Sequence, residues 1–104
     1  MPRTALVAVE KTGFTFDRLF SYAVPSALAG SVARGKRVLV PFGRGNCLSQ
    51  GMVFSVSETD DGGLKPVVSV LDEEPILDEE GFSIVEYMVD TVFCTYFDAV
   101  RCLI

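Results

Sequence analysis

Apolar positions recur at every second residue through most of this chain and at every third or fourth residue after about Leu77. Thr4–Glu10 (TALVAVE) alternates small or polar residues with apolar ones and predicts a half-buried strand. Lys11-Thr12-Gly13 reads as a turn. Phe14, Phe16, Leu19, Phe20 and Tyr22 then crowd five large apolar side chains into nine positions around Asp17-Arg18. Phe20–Val24 (FSYAV) predicts a second strand stopped by Pro25, and Ser26–Gly30 a single helical turn. Lys36–Val40 (KRVLV) is a third strand, ended by Pro41-Phe42-Gly43. The loop Arg44–Ser49 leads into a fourth, Gln50–Ser57 (QGMVFSVS). Glu58–Gly63 is a solvated turn, and Lys65–Leu71 (KPVVSVL) a fifth strand.

The last third changes period. Asp78 is a good N-cap, and Glu79 and Glu80 put negative charge at the positive end of a helix. Phe82, Val85, Met88, Val89 and Val92 mark one helical face, and Leu77 with Phe82 has the spacing of a hydrophobic staple. A helix from about Glu79 to Phe93 follows, with a shorter helical piece in Phe97–Leu103. Strands first and helix last predict an α+β domain. Its expected form is a small, curved, mainly antiparallel sheet or partial barrel under a C-terminal covering helix. Residues 1–104 form one domain, since the chain is long enough for a single core but not for two.

Charge changes the picture more than composition does. Residues 1–57 hold seven Lys/Arg against two Asp/Glu, and residues 58–104 hold two against twelve. The first part is thus +5 and the second −10, within a chain of net charge −5. Arg34–Gly51 alone carries four of the nine basic residues: Arg34, Lys36, Arg37 and Arg44. Such asymmetry points to a polyanion or a charged partner meeting one face, or else to an uneven solvated surface. The acidic total disfavours general duplex binding, which rests on neutralising many phosphates, and tolerates recognition of a strand end.

Several chemistries are excluded. The chain contains no His, which removes histidine acid–base catalysis and Ser-His or Cys-His nucleophilic systems. Neither a GxxxxGK[ST] phosphate loop nor a Rossmann fingerprint occurs. The carboxylate pairs Asp60-Asp61, Asp72-Glu73-Glu74 and Asp78-Glu79-Glu80 sit in turns or at a helix start, where acidic residues are ordinary. Cys47, Cys94 and Cys102 are odd in number and lack CxxC spacing, so they read as buried apolar thiols in a reducing cytoplasm rather than disulfides or zinc ligands. No apolar run is long enough to cross a bilayer. The chain by itself reads as a non-enzyme needing neither metal nor cofactor.

Five blocks in order and in register resemble the N-terminal 3′-DNA-binding domain of the PriA replication-restart helicases (primosomal protein N′). They are the opening strand ending in Val9-Glu10, the block Phe16–Pro25 (FDRLFSYAVP), the block Gly35–Arg44 (GKRVLVPFGR), Gln50–Val53 (QGMV), and Lys65–Leu77 ending in LDEEPIL. The resemblance spans essentially the whole chain. It implies a domain that takes the 3′ end of the nascent leading strand at an arrested fork and positions a helicase core. The ATPase motifs of that core lie further along the family's longer polypeptides, so this chain is expected to be the N-terminal piece of such a protein. The implied partners are a single-stranded DNA 3′ terminus, the remaining helicase domains and primosome proteins, in the cytoplasm.

The family's pocket for the terminal nucleotide uses a Phe-Asp-Tyr triplet at the start of the second strand, the Gly of a Pro-Phe-Gly turn, and a Lys just before the fifth strand. By resemblance these roles fall on Phe20, Ser21, Tyr22, Gly43 and Lys65, with Ser21 standing where the family usually has Asp. Arg44 joins Lys65 as a candidate phosphate contact. Strand alternation places Phe20 and Tyr22 on one face and Ser21 on the other, so a bulge or backbone contacts are needed if all three serve one pocket. The competing reading is a protein-interaction or structural module using the acidic Asp72–Glu80 surface, without intrinsic nucleic-acid binding.

Overall fold

The computed structural model describes residues 3–10, 19–43, 45, 47–58, 64–91 and 96–104. Five strands form one sheet: β1 (Arg3–Val9), β2 (Phe20–Val24), β3 (Arg37–Phe42), β4 (Cys47–Ser57) and β5 (Ser69–Val70). A 3₁₀ turn at Ser26–Leu28 follows β2, and helices α1 (Glu79–Thr91) and α2 (Tyr96–Leu103) close the chain. Spatial order is β2-β1-β4-β3-β5, with every ladder antiparallel. The α+β expectation holds. The Lys11–Gly13 turn, the Phe14–Arg18 segment and most of the Glu58–Gly63 turn lie outside the described residues.

β1 departs from the half-buried strand expected of its alternation. Thr4, Ala5, Val7, Ala8 and Val9 are all buried, because the strand is central and has a core on each side. Ala5, Val7 and Val9 pack with Tyr22, Val24, Val38, Val40, Val53 and Val67 inside the curve of the sheet. Ala8 joins Met52 and Phe54 beneath Phe82, Val85, Phe97 and Val100 of the helices. The alternation on β1 separates two cores rather than core from solvent: Ala5, Val7 and Val9 fill the concave side and Ala8 lies beneath the helices.

β3 and β4 are longer than expected. Val40, Pro41 and Phe42 pair with Ser49, Leu48 and Cys47, so Pro41 does not stop the strand and most of the predicted loop is ladder. Pro41 is tolerated because β5 pairs only with Val38 and Leu39, which leaves that end of β3 without a second ladder. On β4, Leu6 faces Ser55 and Val7 faces Val53, so Phe54 is the extra residue of a bulge. The bulge lets Phe54 reach the helix-side core while Val53 and Val56 both serve the concave one. Gly51 marks a close approach of β1 and β4, since a Cβ there would stand 2.4 Å from Cγ1 of Val7.

The fifth strand is the largest departure. Only Ser69–Val70 forms a ladder, yet residues 65–71 bridge the two ends of the sheet. Ala23 donates to the Lys65 carbonyl at 2.9 Å and Val67 donates to the Ala23 carbonyl at 2.9 Å. Val68 and Leu71 then donate to Leu39 and Arg37 of β3, each at 2.8 Å. This segment stitches β2 toward β3 and curls the open sheet into the partial barrel expected from sequence.

Helix α1 begins as its sequence predicts. Asp78 Oδ1 accepts from the Gly81 amide at 2.8 Å, and Leu77 and Phe82 share the helix-side core. The predicted end at Val92-Phe93 lies outside the described residues. α2 packs through Phe97, Ala99 and Val100. Cys47 and Cys102 are exposed, contrary to the buried thiols expected: Cys47 opens β4 at the end of its ladder and Cys102 lies in the last turn of α2; Cys94 lies outside the described residues.

Candidate nucleic-acid interface

The seam between β2 and β3 is the place where the predicted residues gather. These strands are not ladder neighbours, so side chains and the 65–68 segment fill the gap between them. At one end the Phe20 and Phe42 rings meet edge to face, with centroids 5.1 Å apart. Further in, the Tyr22 hydroxyl donates to the Pro41 carbonyl at 2.9 Å. Beyond that, Ala23 is held by Lys65 and Val67. Phe20, Tyr22, Gly43 and Lys65 therefore lie along one line, although they are spread over 46 positions of sequence (20 to 65, inclusive).

Each residue contributes differently. Phe20 and Phe42 are partly buried, which leaves ring surface at the seam's open end. Tyr22 is only 4% exposed; its ring belongs to the concave core, and burial pushes its phenol above the ordinary range. Gly43 has a φ of +73°, and nothing lies within 4 Å of where a Cβ would stand, so glycine is there for its backbone and leaves open space beside it. Lys65 is exposed and makes no ion pair among the described residues. Ser21 pairs with Leu6 on the strand face opposite Phe20 and Tyr22, as alternation requires. Arg44 lies outside the described residues. Phe42 was missed by sequence reasoning because Pro-Phe-Gly looks like a turn; its edge contact with Phe20 makes it part of the seam.

The basic half is more neutral than its sequence suggests. Arg37 is clamped by Asp72: Nε donates to Oδ2 at 3.0 Å, Nη2 to Oδ1 at 2.8 Å, and the Arg37 amide to Oδ2 at 2.9 Å. Those bonds hold the Asp72 carboxyl below the usual carboxylate range and raise the Arg37 guanidinium. Arg34 lies 3.8 Å from the Phe82 ring centroid, donates to the Phe54 carbonyl and pairs with Glu79 at 2.7 Å. Arg3 pairs with Glu58, and Arg101 with Glu10. Carboxylates of the acidic C-terminal part thus neutralise Arg3, Arg34 and Arg37, which a linear charge count assigns to a polyanion.

A second concavity, an open depression of about 590 Å³, is lined by Gly30, Ser31, Lys36, Val70, Leu71, Asp72 and Glu73. Its one cation sits beside two carboxylates, which is the wrong balance for phosphate. Among the described residues no helix is long and apolar enough to cross a membrane.

A family model described as the 3′ DNA-binding domain (3′BD) of PriA matches residues 6–104. The chain belongs to that family. The replication restart protein PriA of Bacillus subtilis (strain 168) is 39% identical over 79 residues, which cover 73% of this chain. The chain spans 10% of that PriA, so the match concerns one domain of a much longer protein.

Proposed function

We propose that this domain binds the 3′ end of single-stranded DNA with little base preference, in the service of replication restart. In that role it takes the nascent leading strand at an arrested fork and positions the helicase core of a longer protein, alongside other primosome proteins, in the cytoplasm. The observation that carries the reading is the alignment of Phe20, Phe42, Gly43 and Lys65 along one seam in a member of a 3′-DNA-binding family.

The chemistry suits a strand end better than a continuous groove. A partly buried aromatic edge offers one base an apolar wall that does not depend on its identity. A glycine with open space beside it lets a nucleotide approach backbone N–H groups. Lys65, with Arg44, supplies one or two cations for the last phosphates. With Arg3, Arg34, Arg37 and Arg101 paired with carboxylates, four of the chain's nine basic residues are withdrawn from following a longer backbone.

The test is fluorescence anisotropy with a short single strand ending in a free 3′-OH and the same strand ending in a 3′-phosphate. A terminal pocket has no room for an added phosphate, so the free end binds clearly more tightly. Equal affinity for the two ends would overturn the proposal.

A further inference from the structure

Helix α1 turns Phe82, Val85, Met88 and Val89 toward the helix-side core. The opposite arc of the helix carries Glu80, Ser83, Ile84, Glu86, Tyr87 and Asp90, all exposed. Ile84 is 40% exposed and Tyr87 68%, and their i, i+3 spacing sets them side by side in the middle of that arc. The helix holds four carboxylates and neither Lys nor Arg. Glu79 pairs with Arg34, whereas Glu80, Glu86 and Asp90 make no ion pair among the described residues.

This charge pattern works against the helix that carries it. Glu86 and Asp90 are like charges at i, i+4, and Asp90 stands in the last turn, at the negative end of the helix dipole. A positively charged group laid on the arc would relieve both. The same charge repels DNA, an anionic membrane and the matching face of a second copy. We propose that the outward face of α1 docks a basic amphipathic segment of a separate protein. Its apolar side chains pack on Ile84 and Tyr87, and its Lys and Arg meet Glu80, Glu86 and Asp90. Tyrosine is a common anchor in such contacts, because it presents a large, stiff surface at little entropic cost. Two apolar anchors on one turn fall far short of a permanent domain interface and suit a short segment held transiently. The face lies across the sheet from the concave core, so docking leaves the seam open and does not depend on the 3′-end reading.

The probe is a synthetic amphipathic peptide with a leucine stripe flanked by lysines, titrated at low salt into the isotope-labelled domain. Amide shifts should concentrate on α1 around Ile84 and Tyr87, and a scramble of the same composition should bind about tenfold more weakly. Tyr87→Ala, at an exposed position that the fold does not need, lowers affinity about tenfold through loss of an anchor. Glu86→Gln combined with Asp90→Asn lowers it about fivefold and flattens its salt dependence. The Tm of that double variant rises by roughly 2–4 °C, because the like-charge pair is gone. Higher stability with weaker docking is a pair of changes that a merely solvated face does not produce. Shifts centred elsewhere, equal binding of the scramble, or wild-type affinity in both variants would overturn the proposal. So would self-association of the wild type, followed by sedimentation and abolished by Tyr87→Ala, since the occupant would then be a second copy.

Discussion

At the scale of single residues, the Arg37–Asp72 clamp and the seam side chains make separate predictions. The Asp72 side chain is 9% exposed and accepts three hydrogen bonds from Arg37, so Asp72→Asn should destabilise the fold by about 1–3 kcal/mol at neutral pH. An unfolded aspartate titrates near ~3.9, and the folded carboxyl titrates lower. Its contribution is thus complete above that pH range and is lost as pH falls through the folded value. Urea midpoints followed from about pH 5 to about pH 2.5 should fall less steeply in Asp72→Asn than in wild type. Identical slopes would remove the clamp from the acid limb. On the seam, Phe20→Ala should weaken DNA binding more than Ser21→Ala, because alternation sends Ser21 to the other face of β2. Anisotropy titrations of the two variants measure the order, and the reverse order would move the site to that face.

At the scale of elements, helix α1 shows local rules prevailing. Asp78 caps it and Leu77 staples it, both as read from sequence. Asp78→Ala should cost about 1 kcal/mol, seen as a lower urea midpoint with an unchanged m-value. An unchanged midpoint would mean that the Arg34–Glu79 contact alone anchors the helix start. The strands show the opposite. Pro41 ought to end β3 and does not, because the missing N–H points to a side with no ladder. The Lys65–Leu71 segment ought to be a strand of seven residues, and only two form a ladder, because its first half turns to β2 and its second half to β3. Pairing partners were decided elsewhere in the chain, so local pattern did not reveal them.

At the scale of the whole molecule, intramolecular neutralisation sets the electrostatics. The linear asymmetry of +5 against −10 suggested an exposed basic face. Folding instead brings Arg34 to Glu79 and Arg37 to Asp72, and so spends the contrast on joining the two parts of the chain. DNA binding should therefore depend weakly on salt. With about two or three phosphate contacts, log K should fall against log salt with a slope no steeper than about −2 for a single strand. Lys65→Ala should flatten that slope by roughly 0.7 while weakening all sequences alike. A slope several times steeper would point to a basic surface beyond the seam.

Sequence by itself determined the element types, the α+β class, the cap of α1 and the identities of the candidate residues. Each of these depends on near neighbours: period two or period 3.6, a capping aspartate, or a motif held in order along the chain. Only the tertiary structure decided that β1 is buried on both faces, that the sheet curls through residues 65–71, and that Phe42 stands against Phe20. It alone decided that Arg3, Arg34 and Arg37 of the basic half pair with carboxylates of the acidic part. These outcomes depend on which distant groups meet, as with Arg37 and Asp72, 35 residues apart, or Tyr22 and Pro41, 19 apart. Such encounters are fixed by strand order and by burial shared between two cores, and no local stretch of sequence contains that information.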